Sequence, residues 1–433
     1  MKTLLTWLIY GIPAVWAIVL YIRRFRQRNT EHQQALQASI EQGLLEPPSL
    51  HPIIDPTRCI GSSSCVKACP EDALGIINNK AELINAAHCI GHGACLAACP
   101  VDAIKLVFGT EKRGIDIPQV KPNFESNVPG IYIAGELGGM GLIRKCAEQG
   151  RQAMDAIRLA IKPGAHEYDV VIVGAGPAGI AAGLGALQAK LKYKLIEQED
   201  SLGGAVYHYP RNKIAMTAPV KLPIIGKVKM TEISKEKLLE FWNAVVKKTG
   251  LVVNFRERME AIEKIEGGFS VKTAKNTYNA TVVLLAIGRR GTPRKLNVPG
   301  EESPKVVYRL IDPEQYKGQR VLVVGGGDSA LEAAIAISEK RGSRVTLSYR
   351  SAAFSRVKPK NRTRLEEQQK AGRLKVLMNS NVQRIREDQV EIEQEGKVHV
   401  LANDAVIVCA GGLLPTPVLQ KIGIQFDTKF GTA

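Results

Sequence analysis

The chain has 433 residues, enough for two to four domains with ample core. Its apolar fraction is ordinary, but only 5% of residues are aromatic, which argues against a protein that stacks single-stranded bases. The net charge of +17 points to anionic lipid, an acidic protein partner or a phosphate-bearing cofactor, and no motif supports nucleic acid.

Thr3 to Ile22 carries no charge and is mostly aliphatic and aromatic. Twenty helical residues span about 30 Å, so residues 1–23 are expected to form a transmembrane anchor. Arg23, Arg24, Arg26 and Arg28 follow directly. By the positive-inside rule they predict a single pass through the inner (cytoplasmic) membrane, with the catalytic part cytoplasmic. A cleaved signal peptide would place its basic residues ahead of a shorter apolar core, and only Lys2 precedes this one. Residues 24–54 read as a polar stalk followed by a proline-punctuated linker.

Residues 55–108 hold six of the eight cysteines in two copies of one pattern, thirty residues apart. Cys59, Cys65, Cys69 and Pro70 form the first copy, and Cys89, Cys95, Cys99 and Pro100 the second. The bacterial iron–sulfur run is C-x2-C-x2-C-x3-C-P. Here Ser62 and His92 stand where each run would carry its second cysteine. The spacing is that of metal ligands rather than of a disulfide framework, which suggests a reducing compartment. Two electron-carrying clusters are expected, [4Fe-4S] or [3Fe-4S].

From Tyr168 the pattern is α/β. The apolar strand Tyr168 to Val173 runs into Gly174-Ala-Gly176-Pro177-Ala178-Gly179 and an alanine-rich helix. In a dinucleotide-binding turn, Gly174 permits the tight turn, Gly176 lets backbone approach a pyrophosphate, and Gly179 lets helix and sheet pack closely. Glu197 ends the next strand, where a carboxylate holds a ribose hydroxyl. A second unit starts at Arg320 and continues through Gly325-Gly-Gly327-Asp328-Ser329-Ala330. Its second strand closes on Arg350, with Arg356 nearby, where NAD-binding units place an acidic residue. A guanidinium suits the 2′-phosphate of NADP, so NADP is favoured over NAD.

These motifs resemble the thioredoxin-reductase-like flavoproteins from about Gly109 onward. The resemblance implies FAD on the first loop, with Gly203 and Gly204 of Ser201-Leu-Gly203-Gly204 beside the flavin, and NADPH on the second. It also implies a possible homodimer. The family's closing FAD segment is matched by Asn127-Val-Pro-Gly-Ile-Tyr-Ile-Ala-Gly135-Glu136, with Glu where the family has Asp. That segment precedes the first glycine loop instead of ending the chain, which implies a circular permutation. The expected domains are therefore 55–108, resembling two-cluster bacterial ferredoxins; 109–303 for FAD, with 109–162 as its closing segment and 403–433 completing it; and 304–402 for NAD(P)H. The expected fold class is α/β: two Rossmann-like dinucleotide-binding domains, a small α+β ferredoxin-like iron–sulfur domain, and one N-terminal transmembrane helix.

The ferredoxin resemblance implies crossed ligation. Cys59, Cys65 and Cys99 would hold one cluster, and Cys89, Cys95 and Cys69 the other. Three outcomes are open at the fourth corners: an empty corner and a three-iron cluster, ligation by Ser62 or His92, or an outside ligand. The chain has no C-x-x-C of thioredoxin reductase. Bacillithiol-disulfide reductases, which it resembles more closely through Tyr207-His-Tyr-Pro210, place a cysteine in the first loop where this chain has Ala178. Cys146 and Cys409 are isolated. The expected function is a membrane-anchored NAD(P)H-dependent oxidoreductase passing electrons among NAD(P)H, FAD, the clusters and a redox protein or quinone-linked acceptor, in either direction. A thiol reductase using a partner's cysteine and a non-enzymatic redox sensor or tethered electron carrier are the alternatives. No acid–base side chain is identified.

Overall fold

The computed structural model describes residues 10–41, 47, 50–89, 91, 93–111, 114–139, 141–209, 211, 213–217, 219–289, 291–354, 357, 359–413 and 415–431. His92 and Arg356 lie outside these, as do residues 3–9 of the expected membrane span. The chain divides into two compact units, Met1–Ile115 with Lys429–Ala433, and Asp116–Thr428.

The first unit opens with α1 (Ile12–Glu41), one unbroken helix that includes most of the polar stretch read as a stalk. Three polar side chains of α1 find backbone partners in the cysteine-rich part, so the helix is docked rather than free. Asn29 Oδ1 accepts from the Asn78 N–H at 2.8 Å. His32 Nδ1 accepts from the Ile76 N–H at 3.0 Å. Ser39 Oγ donates to Ile84 O at 2.8 Å. The described part of α1 reaches Arg23 within a few turns, and no helix among the described residues is long and apolar enough to cross a membrane. Trp16 and Tyr21 are exposed on it.

The cysteine-rich part runs β1 (His51–Ile54), α2 (Ser64–Ala68), β2 (Leu74–Ile77), β3 (Lys80–Leu83), α3 (Ala94–Ala97) and β4 (Ile104–Val107). β1 pairs antiparallel with β4, and β2 with β3. The repeat is visible in the backbone. Gly61 and Gly91 both take positive φ, as do Asp72 and Asp102, the second residue after each proline. Leu74, Ile76, Ala81, Ala103 and Ile104 pack with Cys59, Cys65, Cys69, Cys95 and Cys99 into one small core.

In the second unit, β5 (Ile115–Pro118), β6 (Ile131–Ile133) and α4 (Ile143–Ala160) precede β7 (Tyr168–Val173), α5 (Pro177–Gln188) and β8 (Tyr193–Ile196). After α6 (Lys235–Thr249) come β9 (Met259–Ile265), β10 (Gly268–Thr273) and β11 (Thr277–Leu285), giving a sheet ordered β9-β10-β11-β7-β8. β7 is buried along nearly its whole length, as a parallel strand covered on both faces must be. β6 pairs parallel with the carboxyl end of β11, so a segment that precedes the first glycine loop completes this sheet.

The second sheet is all parallel. It is built from β12 (Val306–Val307), β13 (Arg320–Val324), β14 (Arg344–Ser348), β15 (Leu374–Leu377) and β19 (Ala405–Val408), ordered β12-β19-β13-β14-β15. α7 (Asp328–Ser338) and α8 (Pro359–Lys370) accompany it. An antiparallel ladder of β16 (Ser380–Ile385), β17 (Gln389–Gln394) and β18 (Lys397–Ala402) is inserted before β19. β20 (Phe426–Lys429) pairs with β5, where Thr428 Oγ1 donates to Asp116 Oδ1 at 2.7 Å.

Candidate functional site

The six cysteines surround two cavities. Cys69, Cys89 and Cys95 line one, with Glu71, Leu74 and Leu106. Cys59, Cys65 and Cys99 line the other, with Ser62, Ile76 and Val101. Each set of three draws on both copies of the repeat. Among the described residues no three His, Cys, Asp or Glu stand close enough to hold a single metal ion. Thiols spaced around a cavity suit a multi-iron group instead. Burial, aided by the neighbouring thiols, pushes Cys95 up to about 11 and moves Cys65 and Cys89 upward. These groups must lose protons to ligate, so metal loading would release them. Ser62 is exposed, and its Oγ exchanges hydrogen bonds with Ser64.

The first glycine loop connects β7 to α5. A Cβ on Gly174, whose φ is +104°, would sit 2.6 Å from Ala286 O, and one on Gly179 would sit 1.7 Å from Gly174 O. Gly176 caps α5 ahead of Pro177, and a Cβ there would meet only Gly204 Cα at 3.9 Å. The loop therefore closes on protein at its ends and leaves room at its middle, which fits a pyrophosphate. Glu197 is buried at the end of β8. Its Oε2 accepts from the Ala175 N–H at 2.6 Å and its Oε1 from the Glu199 N–H at 3.0 Å. Burial raises the Glu197 pKa, and those two N–H donors oppose the rise. Gly203 donates its N–H to Ala175 O at 3.0 Å, which binds the Gly203–Gly204 turn to the loop.

The Gly135–Glu136 turn joins the same loop. A Cβ on Gly135 would lie 2.9 Å from Ala178 Cβ and 3.7 Å from Cys146 Sγ. α4 approaches α5 so closely that a Cβ on Gly150 would stand 2.0 Å from Ala178 O. Glu136 Oε2 lies 3.6 Å from where a Cβ on Gly288 would sit. Arg289 is half-buried there, and burial lowers its pKa against the pull of Glu136 and Asp116. Sequence spacing could not show that Cys146 borders the Ala178 loop. Burial, with the Glu136 carboxylate, pushes that thiol up to about 12.

At the second loop, Gly325 closes on Cys409 O and Gly327 caps α7 facing open space, with nothing within 4 Å of a Cβ placed there. Asp328 Oδ1 accepts from Asn361 Nδ2 at 2.7 Å, tying α8 to the loop. Ala330 is fully buried, whereas Ser329 and Arg350 are exposed. Gly326 is required by a residue the motif did not single out: a Cβ there would strike the Tyr349 ring at 2.2 Å. Tyr349 stacks on Phe354 with ring centroids 5.4 Å apart. The two dinucleotide units also meet through side chains. Lys213 Nζ pairs with Glu332 Oε1 at 2.8 Å and Arg211 Nη1 with Asp312 Oδ2 at 3.0 Å. His208 Nε2 lies 3.3 Å from Glu199 Oε1 and contacts Arg309 through Nδ1.

The family model described as pyridine nucleotide-disulphide oxidoreductase matches residues 171–431. The chain belongs to that family. A 4Fe-4S dicluster domain model matches residues 51–100. Among curated relatives of this oxidoreductase, the bacilliredoxin reductase of Bacillus subtilis is 28% identical over 60% of this chain and 82% of its own. The ferredoxin–NADP reductase of Thermus thermophilus is 30% identical over 62% of this chain and 82% of its own. The solved bacillithiol disulfide reductase of Bacillus cereus is 27% identical, covering 60% of this chain and 82% of that one, with a TM-score of 0.53. The oxidoreductase is thioredoxin-reductase-like and carries a ferredoxin-like dicluster domain. It is an NAD(P)H-dependent enzyme containing FAD and iron–sulfur.

Proposed function

We propose that this oxidoreductase moves electrons between NAD(P)H and a redox-protein or quinone-linked acceptor, with FAD and clusters at the two cysteine sites as intermediaries. The observation that carries the reading is that two cavities are each lined by three thiols, while the first glycine loop has Ala178 and no thiol. FAD, when bound, supplies the exchange between two-electron hydride chemistry and one-electron transfer. Gly174, Gly176 and Gly179 would hold its pyrophosphate, with Glu197 toward the ribose. Gly325, Gly327 and Ala330 would serve the nicotinamide cofactor, and exposed Arg350 favours NADP. The names of the ferredoxin–NADP reductase relatives agree with such an exchange, here with a ferredoxin-like domain in the same chain.

A thiol-reductase reading finds its best candidate in Cys146, which borders Ala178. That thiol is buried and its pKa stands at about 12, so it is held protonated and shielded rather than poised for exchange. Anaerobic purification with visible and EPR spectroscopy tests the proposal. NADPH should bleach the flavin and then reduce the clusters; flavin without any iron–sulfur signal would sink it.

Membrane attachment stays part of the proposal. Its support is the uncharged run Thr3–Ile22 followed by four arginines, and the exposure of Tyr10, Ile12, Trp16 and Tyr21 at its described end.

A further inference from the structure

The two cysteine cavities are copies with the charge changed. A shift of thirty residues carries Ala73 and Leu74 of one lining onto Ala103 and Ile104 of the other, and Ile76 onto Leu106 in return. The same shift carries Glu71 onto Val101. Glu71 follows Pro70 in the wall of the Cys69, Cys89 and Cys95 cavity, while apolar Val101 follows Pro100 in the other wall. A second break in the repeat has the opposite sign. Half-buried Lys80 donates through Nζ to Cys59 O at 2.6 Å, and its counterpart thirty residues on is Thr110. N–H to sulfur bonds do not separate the two sites: Ala81 and Ala103 donate to Cys59 Sγ at 3.4 Å and Cys99 Sγ at 3.3 Å, while the Gly91 and Leu96 N–H groups serve Cys89 and Cys95.

We infer that the Cys59, Cys65 and Cys99 site has the higher reduction potential and the Cys69, Cys89 and Cys95 site the lower. The inference rests on the proposal above that both sites hold clusters. Reduction adds negative charge. A nearby ammonium stabilises that charge, and a nearby carboxylate opposes it. Glu71 lines its cavity, Lys80 is bonded to the Cys59 carbonyl, and both are half-buried, so salt screens them less than surface charges. One electron leaves the Glu71 site as one enters the Lys80 site, with no bond made or broken and no proton required. Lys80 and Glu71 thus set the order in which electrons pass through the domain.

The test is an EPR-monitored redox titration of the full-length, cluster-loaded protein. Ser62→Cys alters the signal of the Lys80 site alone and so identifies it. Two resolved midpoints are expected, the Lys80 site the higher. Lys80→Met should lower that midpoint alone and Glu71→Gln should raise the other alone. Each change should shift the electron partition about tenfold, equivalent to about 59 mV for a one-electron couple. Lys80→Arg, which keeps the charge, should leave both midpoints in place. Coincident midpoints, the reverse order, or variants that move neither midpoint overturn the inference. Wild-type protein that binds flavin but no iron or sulfide overturns the proposal beneath it, and the inference falls with it.

Discussion

Glu197 holds the Ala175 N–H at 2.6 Å, so the carboxylate that ends one strand fixes the glycine loop that follows another. The carboxylate also takes the Glu199 N–H, and both bonds are sheltered from water. Glu197→Ala would leave two backbone donors without their acceptor, at a cost of about 2 kcal/mol. The expected outcome is FAD bound about thirtyfold more weakly, read as flavin lost on gel filtration.

Gly150 sets the approach of α4 to α5. A Cβ there would press on the backbone of Ala178, which cannot rotate away as a side chain would. Gly150→Ala should destabilise the flavin-binding part by about 3 kcal/mol and reduce flavin content. Thermal unfolding followed by flavin fluorescence would measure it.

Cys146→Ala separates electron transfer through clusters from thiol exchange. NADPH oxidation and cluster reduction should match the parent protein. In the native parent, Cys146 should resist iodoacetamide at pH 8, since its thiol is buried and titrates at about 12. Peptide mapping by mass spectrometry would show it unlabelled until the protein is denatured.

Asp404 carries a pH dependence with a defined sign. The Arg320 side chain, helped by its N–H, holds the Asp404 carboxyl down at about 2, against 3.8 for the free group. A carboxylate depressed on folding contributes its stability above 3.8 and loses it as pH falls through about 2. Asp404→Asn should therefore be less stable than the parent at pH 5. The gap should close between about pH 4 and pH 2, as measured by parallel melting curves of metal-free protein.

Membrane attachment has a direct measurement. Full-length protein should stay with the membrane pellet after alkaline carbonate extraction, and a variant beginning at Arg23 should move to the supernatant. Full-length protein in the supernatant would refute the anchor.

Local pattern revealed much of this molecule. Spacing showed the six thiols as two copies of one short run, and the resemblance to two-cluster ferredoxins divided them into the two sets that line the two cavities. The glycine loops were legible because strand, turn and helix succeed one another within a few residues. The course of α1 was not. Its Gln- and Glu-rich sequence suits a solvated stalk, and only the backbone groups at Ile76, Asn78 and Ile84, more than forty residues away, make Asn29, His32 and Ser39 docking residues. Cys146 beside Ala178 was equally hidden, since it depends on how closely two helices approach at Gly150. Tyr349 over Gly326 escaped for the same reason: ring placement is a property of packing, not of the glycine motif.

The trading of cysteines between the halves of the repeat has a consequence for how the protein is made. The cavity of Cys69, Cys89 and Cys95 lacks its last thiol until Cys95 has been synthesised, and the cavity of Cys59, Cys65 and Cys99 until Cys99 has. On the proposed assignment of clusters to these two sites, a nascent chain completes neither site while the second half is still inside the ribosome. Neither half could be inherited, truncated or replaced without disarming both.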